Sequence, residues 1–211
     1  MSEQPASYDW HAERKAGIGA IAAGFVVAAL LWAAVYYLAP RLHVADSFEA
    51  RMLFALKCVV VATLFCLVAG VEAVAHERLQ SAAFDPLAGA GSRRLHVNLR
   101  YLQNTLEQTV VFAAAVFGLA AYAEGESGLR AVLAFTVVWI AARWAFWIGY
   151  HRSAAMRGLG APGMALALVI LIYVAWRIGL DIAGTAGGAA IVIAFLVLEA
   201  ILFRTTRGDG S

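Results

Sequence analysis

Six long apolar stretches restrict the fold of this chain more than any other feature. They lie near residues 17–39, 51–75, 98–122, 129–152, 162–180 and 187–203. A helix needs about 20 apolar residues to cross a bilayer, and only helices and closed barrels can cross it. The stretches are too continuous for the alternating strands of a membrane barrel. We therefore predict an all-α membrane protein in which residues 1–211 form a single transmembrane domain.

Composition supports this class. The chain is 63% hydrophobic and only 14% charged, whereas a soluble domain carries about 25% charged residues. The first stretch is longer than the apolar region of a cleavable signal peptide, so we expect it to be a retained helix. The last stretch is short and contains Glu199. A net charge of +2 gives no indication of a nucleic-acid partner, and we predict none.

The basic residues of the loops and termini predict the orientation. If six helices alternate, one side of the membrane receives nine of these residues and the other receives four. Because basic residues favour the cytoplasmic side, both termini should be cytoplasmic, and we predict an integral protein of a bacterial inner membrane. The nine are Arg14, Lys15, Arg78, Arg93, Arg94, Arg152, Arg157, Arg204 and Arg207, and the four are Arg41, Arg51, Arg130 and Arg177.

A polar stripe lies within the third apolar stretch. Arg100, Asn104 and Glu107 occur at i, i+4 and i+7, which places them on one face of a helix. Gln103 and Gln108 flank them. Ionisable groups at membrane depth usually face a bundle interior, a cavity or a partner. The stripe therefore marks a candidate site in the cytoplasmic half of this helix.

The fourth stretch carries polar residues at the same end. A short turn joins the third and fourth helices, so they should pack antiparallel, with Arg100 level with Tyr150 and Glu107 level with Arg143. We predict an ion pair between Glu107 and Arg143, because an unpaired charge there would be costly. Arg100, Tyr150 and Arg157 then remain to bind a small anionic cytosolic ligand, and a lipid-soluble reactant would lie beside it.

Each of these residues also has a purely structural explanation. An arginine near a helix end can extend to the interface, an asparagine can join two helices, and a tyrosine can be an interfacial aromatic. Six helices with buried charges would also permit a small transporter or channel. The histidines and the two cysteines lack metal-ligand spacing, so we predict no metal site.

Two segments resemble a known family. The run Arg100-Tyr-Leu-Gln-Asn104-Thr-Leu-Glu107 is similar to the Arg-x-x-x-Asn-x-x-Glu motif of the MAPEG family, the membrane-associated proteins in eicosanoid and glutathione metabolism. The run Gly149-Tyr150-His-Arg152-Ser-Ala-Ala-Met-Arg157 resembles the Gly-Tyr-x-Arg-Ser-Ala-x-x-Arg segment of its leukotriene C4 synthase branch. The resemblance covers about residues 50–180 and implies a four-helix core, with an extra N-terminal and an extra C-terminal transmembrane helix.

The resemblance also implies a function. It suggests a homotrimer that binds glutathione, as co-substrate, between adjacent subunits. It assigns Arg157 to stabilise the glutathione thiolate, with Tyr150 beside it, and it assigns the binding of glutathione to a second set of residues. That set is Arg100, Asn104 and Glu107, together with Arg78, which would reach the ligand of a neighbouring subunit. Gln108 flanks the polar stripe and Arg143 lies level with Glu107, so we also predict these two as glutathione-binding residues.

The chain departs from the synthase pattern at two positions. Gln108 and Phe146 stand where related synthases have tyrosines. The family also contains a non-catalytic member that presents lipid to a partner enzyme. We therefore expect a glutathione-dependent transferase or peroxidase acting on a lipophilic electrophile, with a non-catalytic lipid-binding or scaffold protein as the alternative.

Overall fold

A computed structural model describes residues 9–87 and 89–206, and within these ranges it contains helices and no strand. A π-helical segment, Thr63–Val68, joins the second helix to the third, and short 3₁₀ segments occur at Ala82–Phe84 and Ala155–Gly160. The α-helices are α1 (Trp10–Leu38), α2 (Phe48–Ala62), α3 (Ala69–Leu79), α4 (Arg93–Tyr122), α5 (Gly125–Arg152) and α6 (Ala161–Thr205).

Five helices in the described part are long and apolar enough to cross a membrane. They are α1, the continuous helix Phe48–Leu79, α4, α5, and the helix Ala155–Thr205 that includes α6. The protein is therefore an all-helical chain with the composition of an integral membrane protein. Arg207, one of the residues in our orientation count, lies outside the described residues.

Polar side chains cap α1, α2 and α4 before the apolar stretches begin. The side chain of Asp9 accepts the N–H groups of His11 and Ala12 at the start of α1. Ser47 and Ser92 cap α2 and α4 in the same way. Such side chains satisfy amides that have no partner within the helix. These helices therefore begin several residues before the apolar stretches, because the caps lie in the polar segments that precede them.

The main core lies between α2, α4, α5 and the first half of α6. Phe112 of α4 stacks on Trp139 of α5 with ring centroids 4.3 Å apart, and Phe135 packs beside them. The backbone of the π-helical segment has a side-chain hydrogen-bond donor: the Tyr101 hydroxyl donates to the Cys66 carbonyl at 3.0 Å. A π-helical turn leaves carbonyls displaced from the regular ladder, and Tyr101 satisfies one of them.

Helix α6 contains the fifth and sixth predicted stretches and folds back between them. Ala183 and Gly184 have non-helical angles, and Gly184 has φ 62° and ψ −154°, a conformation almost restricted to glycine. A straight helix would separate Gly179 and Gly187 by about 12 Å. Instead their backbones touch, because a Cβ on Gly179 would lie 2.6 Å from the Gly187 carbonyl oxygen. The second half is almost entirely exposed, and only Gly188 is buried within it.

Helix α1 packs on α5 and on the 3₁₀ segment Ala155–Gly160 through small residues. Ala20 and Gly24 are its buried positions, and a Cβ on Gly24 would lie 2.7 Å from the Leu159 carbonyl oxygen. At the polar end, the Glu13 carboxylate accepts the N–H of Ala155 at 2.7 Å. These contacts hold α1 against the segment that carries Arg157.

Candidate functional site

A cavity of about 530 Å³ lies between α4, α5 and the segment that begins α6. It brings together seven of the eight residues that the sequence singled out, and α4 and α5 supply six of these. Gln103, Phe146 and three small residues, Gly158, Gly160 and Ala161, complete its lining. The seven predicted residues are Arg100, Asn104, Glu107, Gln108, Arg143, Tyr150 and Arg157.

The eighth residue, Arg78, lies elsewhere in the same chain. It lines a separate cavity of about 120 Å³ beside the loop before α4, with Asp85 and His96. Its Nε atom is buried without a hydrogen-bond partner among the described residues. One chain therefore does not bring Arg78 to the larger cavity, and the predicted role of Arg78 toward a neighbouring subunit stays a prediction.

The antiparallel register of α4 and α5 agrees with the sequence. Phe112 meets Trp139, Asn104 meets Arg143, and Asn98 meets His151, so the paired residue numbers keep a nearly constant sum. The turn between the helices is only Ala123 and Glu124, which forces this arrangement. The polar residues that the sequence predicted for the site on these two helices therefore lie at one end of the bundle.

The predicted ion pair between Glu107 and Arg143 is wrong. The guanidinium donates to the Gln108 side-chain carbonyl at 2.6 Å and to that of Asn104 at 3.0 Å. Gln108 also donates to Asn104 at 3.1 Å, which closes the network. Adjacent residues on a helix point about 100° apart, so Gln108 faces α5 while Glu107 turns to the exposed side. There Glu107 accepts a 3.3 Å hydrogen bond from Gln103.

Arg143 is a fully buried cation, at 0% exposure, with no carboxylate within ion-pair distance in residues 9–87 and 89–206. Two neutral amides accept its protons, and its Nε atom has no partner there. The Phe146 ring lies 4.6 Å from the guanidinium carbon and shields it on one side. A buried charge without a counter-ion is costly, and an anion in the adjacent cavity, which Arg143 helps to line, would relieve that cost.

The second cationic part of the site is Arg157 beside Tyr150. Its guanidinium carbon lies 5.8 Å from the centre of the Tyr150 ring. The segment Ala155–Gly160 folds back closely on α5 because Gly149 leaves room for the carbonyl of Met156, where any Cβ would clash. This close approach places Arg157 over the last turn of α5. Arg157 makes no ion pair in the described part of the chain.

A buried polar cluster, which the sequence analysis missed, fixes the polar ends of α4 and α5. Asn98 is 2% exposed, and its side-chain carbonyl accepts the Trp147 indole N–H at 2.9 Å. The same oxygen lies 3.0 Å from His151 Nε2, and the Asn98 amide donates to Glu77 at 2.9 Å. The available signal was the spacing of Trp147 and His151, one turn apart on the face of α5 that meets α4.

The exposed side of the cavity carries further charge. Arg100 donates to Gln103 at 3.4 Å, and Gln103 donates in turn to Glu107, so the three form a polar row along α4. Leu106 and Val110 flank this row and are 53% and 68% exposed. Charged groups at membrane depth are costly against lipid. Acyl chains would therefore be a poor environment for this face of α4.

The described residues contain no group of three or more His, Cys, Asp or Glu side chains arranged to hold a metal ion. Comparison of the chain with family models, with curated proteins and with solved structures gave no match. The resemblance to the MAPEG family therefore stays a prediction that depends on the two sequence motifs and on the cavity they share.

Proposed function

We propose that the protein is a MAPEG-like, membrane-embedded glutathione-dependent transferase or peroxidase that acts on a lipophilic electrophile. Glutathione is an anionic tripeptide with two carboxylates, one ammonium and a thiol. The cavity of about 530 Å³ has the size of a small-ligand site. Its lining carries three arginines and one glutamate, which complement these groups.

The observation that carries this proposal is the buried guanidinium of Arg143. Two amide oxygens fix its orientation but leave its charge uncompensated in the described chain. A ligand carboxylate in the cavity would supply the missing counter-charge. Arg100 at the cavity edge would bind a second carboxylate, because a guanidinium offers a planar fork of donors to an anion.

Arg157 and Tyr150 suit the thiol. An ordinary thiol has a pKa near 8.5 and is mostly protonated at neutral pH, yet the thiolate is the nucleophile. A guanidinium beside the sulfur favours the thiolate, and each unit of pKa corresponds to about 1.4 kcal/mol. The Tyr150 hydroxyl would donate a hydrogen bond to the same sulfur. The thiol proton passes to water, and the thiolate sulfur then forms a bond to the electrophilic carbon while the leaving group departs with its bonding electron pair. The bilayer supplies the apolar reactant.

We also propose that the protein is a homotrimer with both termini in the cytoplasm of a bacterial inner membrane. The polar row Arg100, Gln103 and Glu107 is exposed in one chain, and a second subunit would cover it. The cytoplasmic orientation would open the cavity to the compartment that holds glutathione. Crosslinking of the protein in native membranes should give trimers, and monomers alone would contradict this assembly.

The alternative is a non-catalytic lipid-binding or scaffold protein on the same fold. Two observations favour it. The side-chain carbonyl of Gln108 already accepts a hydrogen bond from Arg143. Phe146 lines the cavity with an aromatic ring that has no hydroxyl. Fewer donors would then meet the tripeptide than in related synthases.

Purified protein in lipid nanodiscs tests the proposal. Calorimetry measures glutathione binding, and a generic aromatic electrophile reports conjugation. We expect Arg157→Ala to reduce conjugation at least tenfold, about one unit of thiol pKa or more. The matched control is Arg152→Ala, since Arg152 is exposed at the same end and does not line the cavity.

Each outcome has a distinct meaning. Equal conjugation rates in Arg157→Ala and the unchanged protein would contradict the thiolate role. Glutathione binding without conjugation of any electrophile would favour the scaffold alternative. The absence of binding in the unchanged protein would overturn the proposal itself.

A further inference from the structure

Two further cavities follow one flank of α1, outside the candidate site. The first, of about 420 Å³, lies between the start of α1 and the 3₁₀ segment, and Trp10, Arg14, Ile18 and Arg157 line it. The second, of about 340 Å³, lies between α1 and the first half of α6, and its walls are apolar.

The two cavities lie on the same side of α1. Arg14, Ile18, Ile21, Phe25 and Trp32 line them and recur at intervals of three, four or seven residues. Residues at this spacing share one helical face. From Arg14 to Trp32 the flank extends about 27 Å, close to the thickness of the hydrocarbon core. We call this surface the α1 groove, defined by these five residues and the facing walls of Arg157, Ala165 and Val169.

The ends of the α1 groove differ in charge. Arg14 and Arg157 lie at one end, and neither forms an ion pair within residues 9–87 and 89–206. Glu13 also lines this end, but its carboxylate accepts the N–H of Ala155 at 2.7 Å, so the two arginines leave an excess of positive charge there. At the other end, Phe25 and Trp32 offer only apolar contact. An anionic head beside a long apolar tail has the matching chemistry.

We propose that the α1 groove binds a long-chain fatty acid, with its carboxylate at Arg14 and Arg157 and its single chain along α1 toward Trp32. A single chain, rather than two side by side, would suit cavities that follow one another along one flank of α1. Arg157 also lines the candidate pocket, so the fatty acid and the pocket ligand would share this guanidinium. The rest of the groove lies outside the proposed glutathione site, and this inference does not require that the protein binds glutathione.

A photoreactive fatty acid tests the site. The full chain in nanodiscs is labelled with a palmitate analogue that carries a diazirine near the end of its chain, without glutathione. We expect labelled peptides that contain residues 25–32 or 165–169. Unlabelled palmitate should displace the probe, whereas hexadecanol, which lacks the carboxylate, should displace it about tenfold less well, the ratio expected for one charge-assisted hydrogen bond.

Two variants with matched controls test separately the binding of the carboxylate and the binding of the acyl chain. Arg14→Ala should weaken displacement by palmitate about tenfold, and Lys15→Ala, next to it but outside the cavity, should not. Ala165→Trp fills the apolar end and should abolish labelling there. Leu168→Trp, on the same helix but not in the groove wall, should leave labelling unchanged.

Several results would overturn the inference. Labels spread over the exposed half of α6 would show adsorption rather than a site. Equal displacement by hexadecanol would remove the role of the arginines. A labelled phosphatidylglycerol that palmitate cannot displace would assign the groove to a two-chain lipid. Loss of glutathione binding with intact labelling would contradict only the proposed function, and the reverse pattern would contradict only this site.

Discussion

The substitution Arg143→Met tests whether the buried guanidinium provides the anion site of the cavity. Methionine keeps an unbranched apolar side chain and removes the charge and both hydrogen bonds. In the folded chain these bonds join Arg143 to the side-chain carbonyls of Gln108 and Asn104, at 2.6 and 3.0 Å. Asn104 keeps one donor in the variant, because Gln108 Nε2 still reaches its oxygen at 3.1 Å. Only the Gln108 carbonyl loses its partner.

These contacts give a magnitude for stability and another for binding. An unsatisfied buried acceptor costs about 1–3 kcal/mol, and the removal of a buried charge offsets part of this cost. We therefore expect a small decrease in the free energy of unfolding, about 1–2 kcal/mol at most. Loss of one charge-assisted hydrogen bond to the ligand costs about 1.5–3 kcal/mol, which weakens binding roughly 10- to 150-fold.

Calorimetry in nanodiscs measures the Kd for glutathione, and thermal unfolding measures stability. Arg143→Lys keeps the charge but loses the planar fork, so its Kd should lie between those of the methionine variant and the unchanged protein. Arg130→Met is the matched control on the same helix. Arg130 donates hydrogen bonds to Glu126 and to the Tyr36 carbonyl at the far end of α5. Its replacement should therefore lower the unfolding temperature and leave the Kd for glutathione unchanged. An unchanged Kd in Arg143→Met would refute the reasoning.

Three further outcomes follow from other contacts. Asn98→Ala should lower the free energy of unfolding by about 1–3 kcal/mol, measured by thermal denaturation, because the half-buried donors Trp147 and His151 on α5 lose their acceptor. Gly184→Ala should cost about 1–3 kcal/mol through backbone strain, whereas Gly19→Ala, in open space on α1, should not destabilise. The pKa of Asp46 is lowered below 3.8 by a backbone N–H at the start of α5 and by Arg51. The lowered pKa stabilises the folded state. This stabilisation is complete above the unfolded pKa of about 3.9 and is lost as pH falls through the folded pKa, so Asp46→Asn should flatten that part of an acid-unfolding curve.

The sequence predicts the all-helical class and the set of residues at the cavity because both depend on periodicity and depth. Arg100, Asn104 and Glu107 share a face of α4, and the short turn before α5 fixes the register that brings Tyr150 and Arg143 to the same level. The predicted ion pair placed Glu107 at the correct level along α4 but on the wrong side of the helix axis. Register alone cannot decide whether position 107 or position 108 turns toward the neighbouring helix.

Other features depend on contacts that no local pattern encodes. The Tyr101 hydroxyl meets the Cys66 carbonyl across 35 residues of sequence, and the π-helical segment is understandable only with that donor in place. The sequence predicts a break between the fifth and sixth apolar stretches, and the non-helical angles of Ala183 and Gly184 lie at that break. The close contact across the break depends on the φ of 62° at Gly184 and was not predicted. The Tyr101 contact and this backbone geometry come from tertiary structure, so composition and spacing could not reveal them.

The chemistry of the cavity depends on how Arg143 is held. A carboxylate partner such as Glu107 would have neutralised the guanidinium and left the cavity nearly uncharged at its buried wall. Two amides orient the same group without neutralising it, at 2.6 and 3.0 Å, so its charge remains available to a ligand. Glu107 lies on the exposed side, near the cavity mouth, where its charge suits an ammonium group. The cavity therefore has a cationic buried wall and an edge that carries both Arg100 and Glu107, an arrangement that would suit the carboxylates and the ammonium group of the proposed ligand.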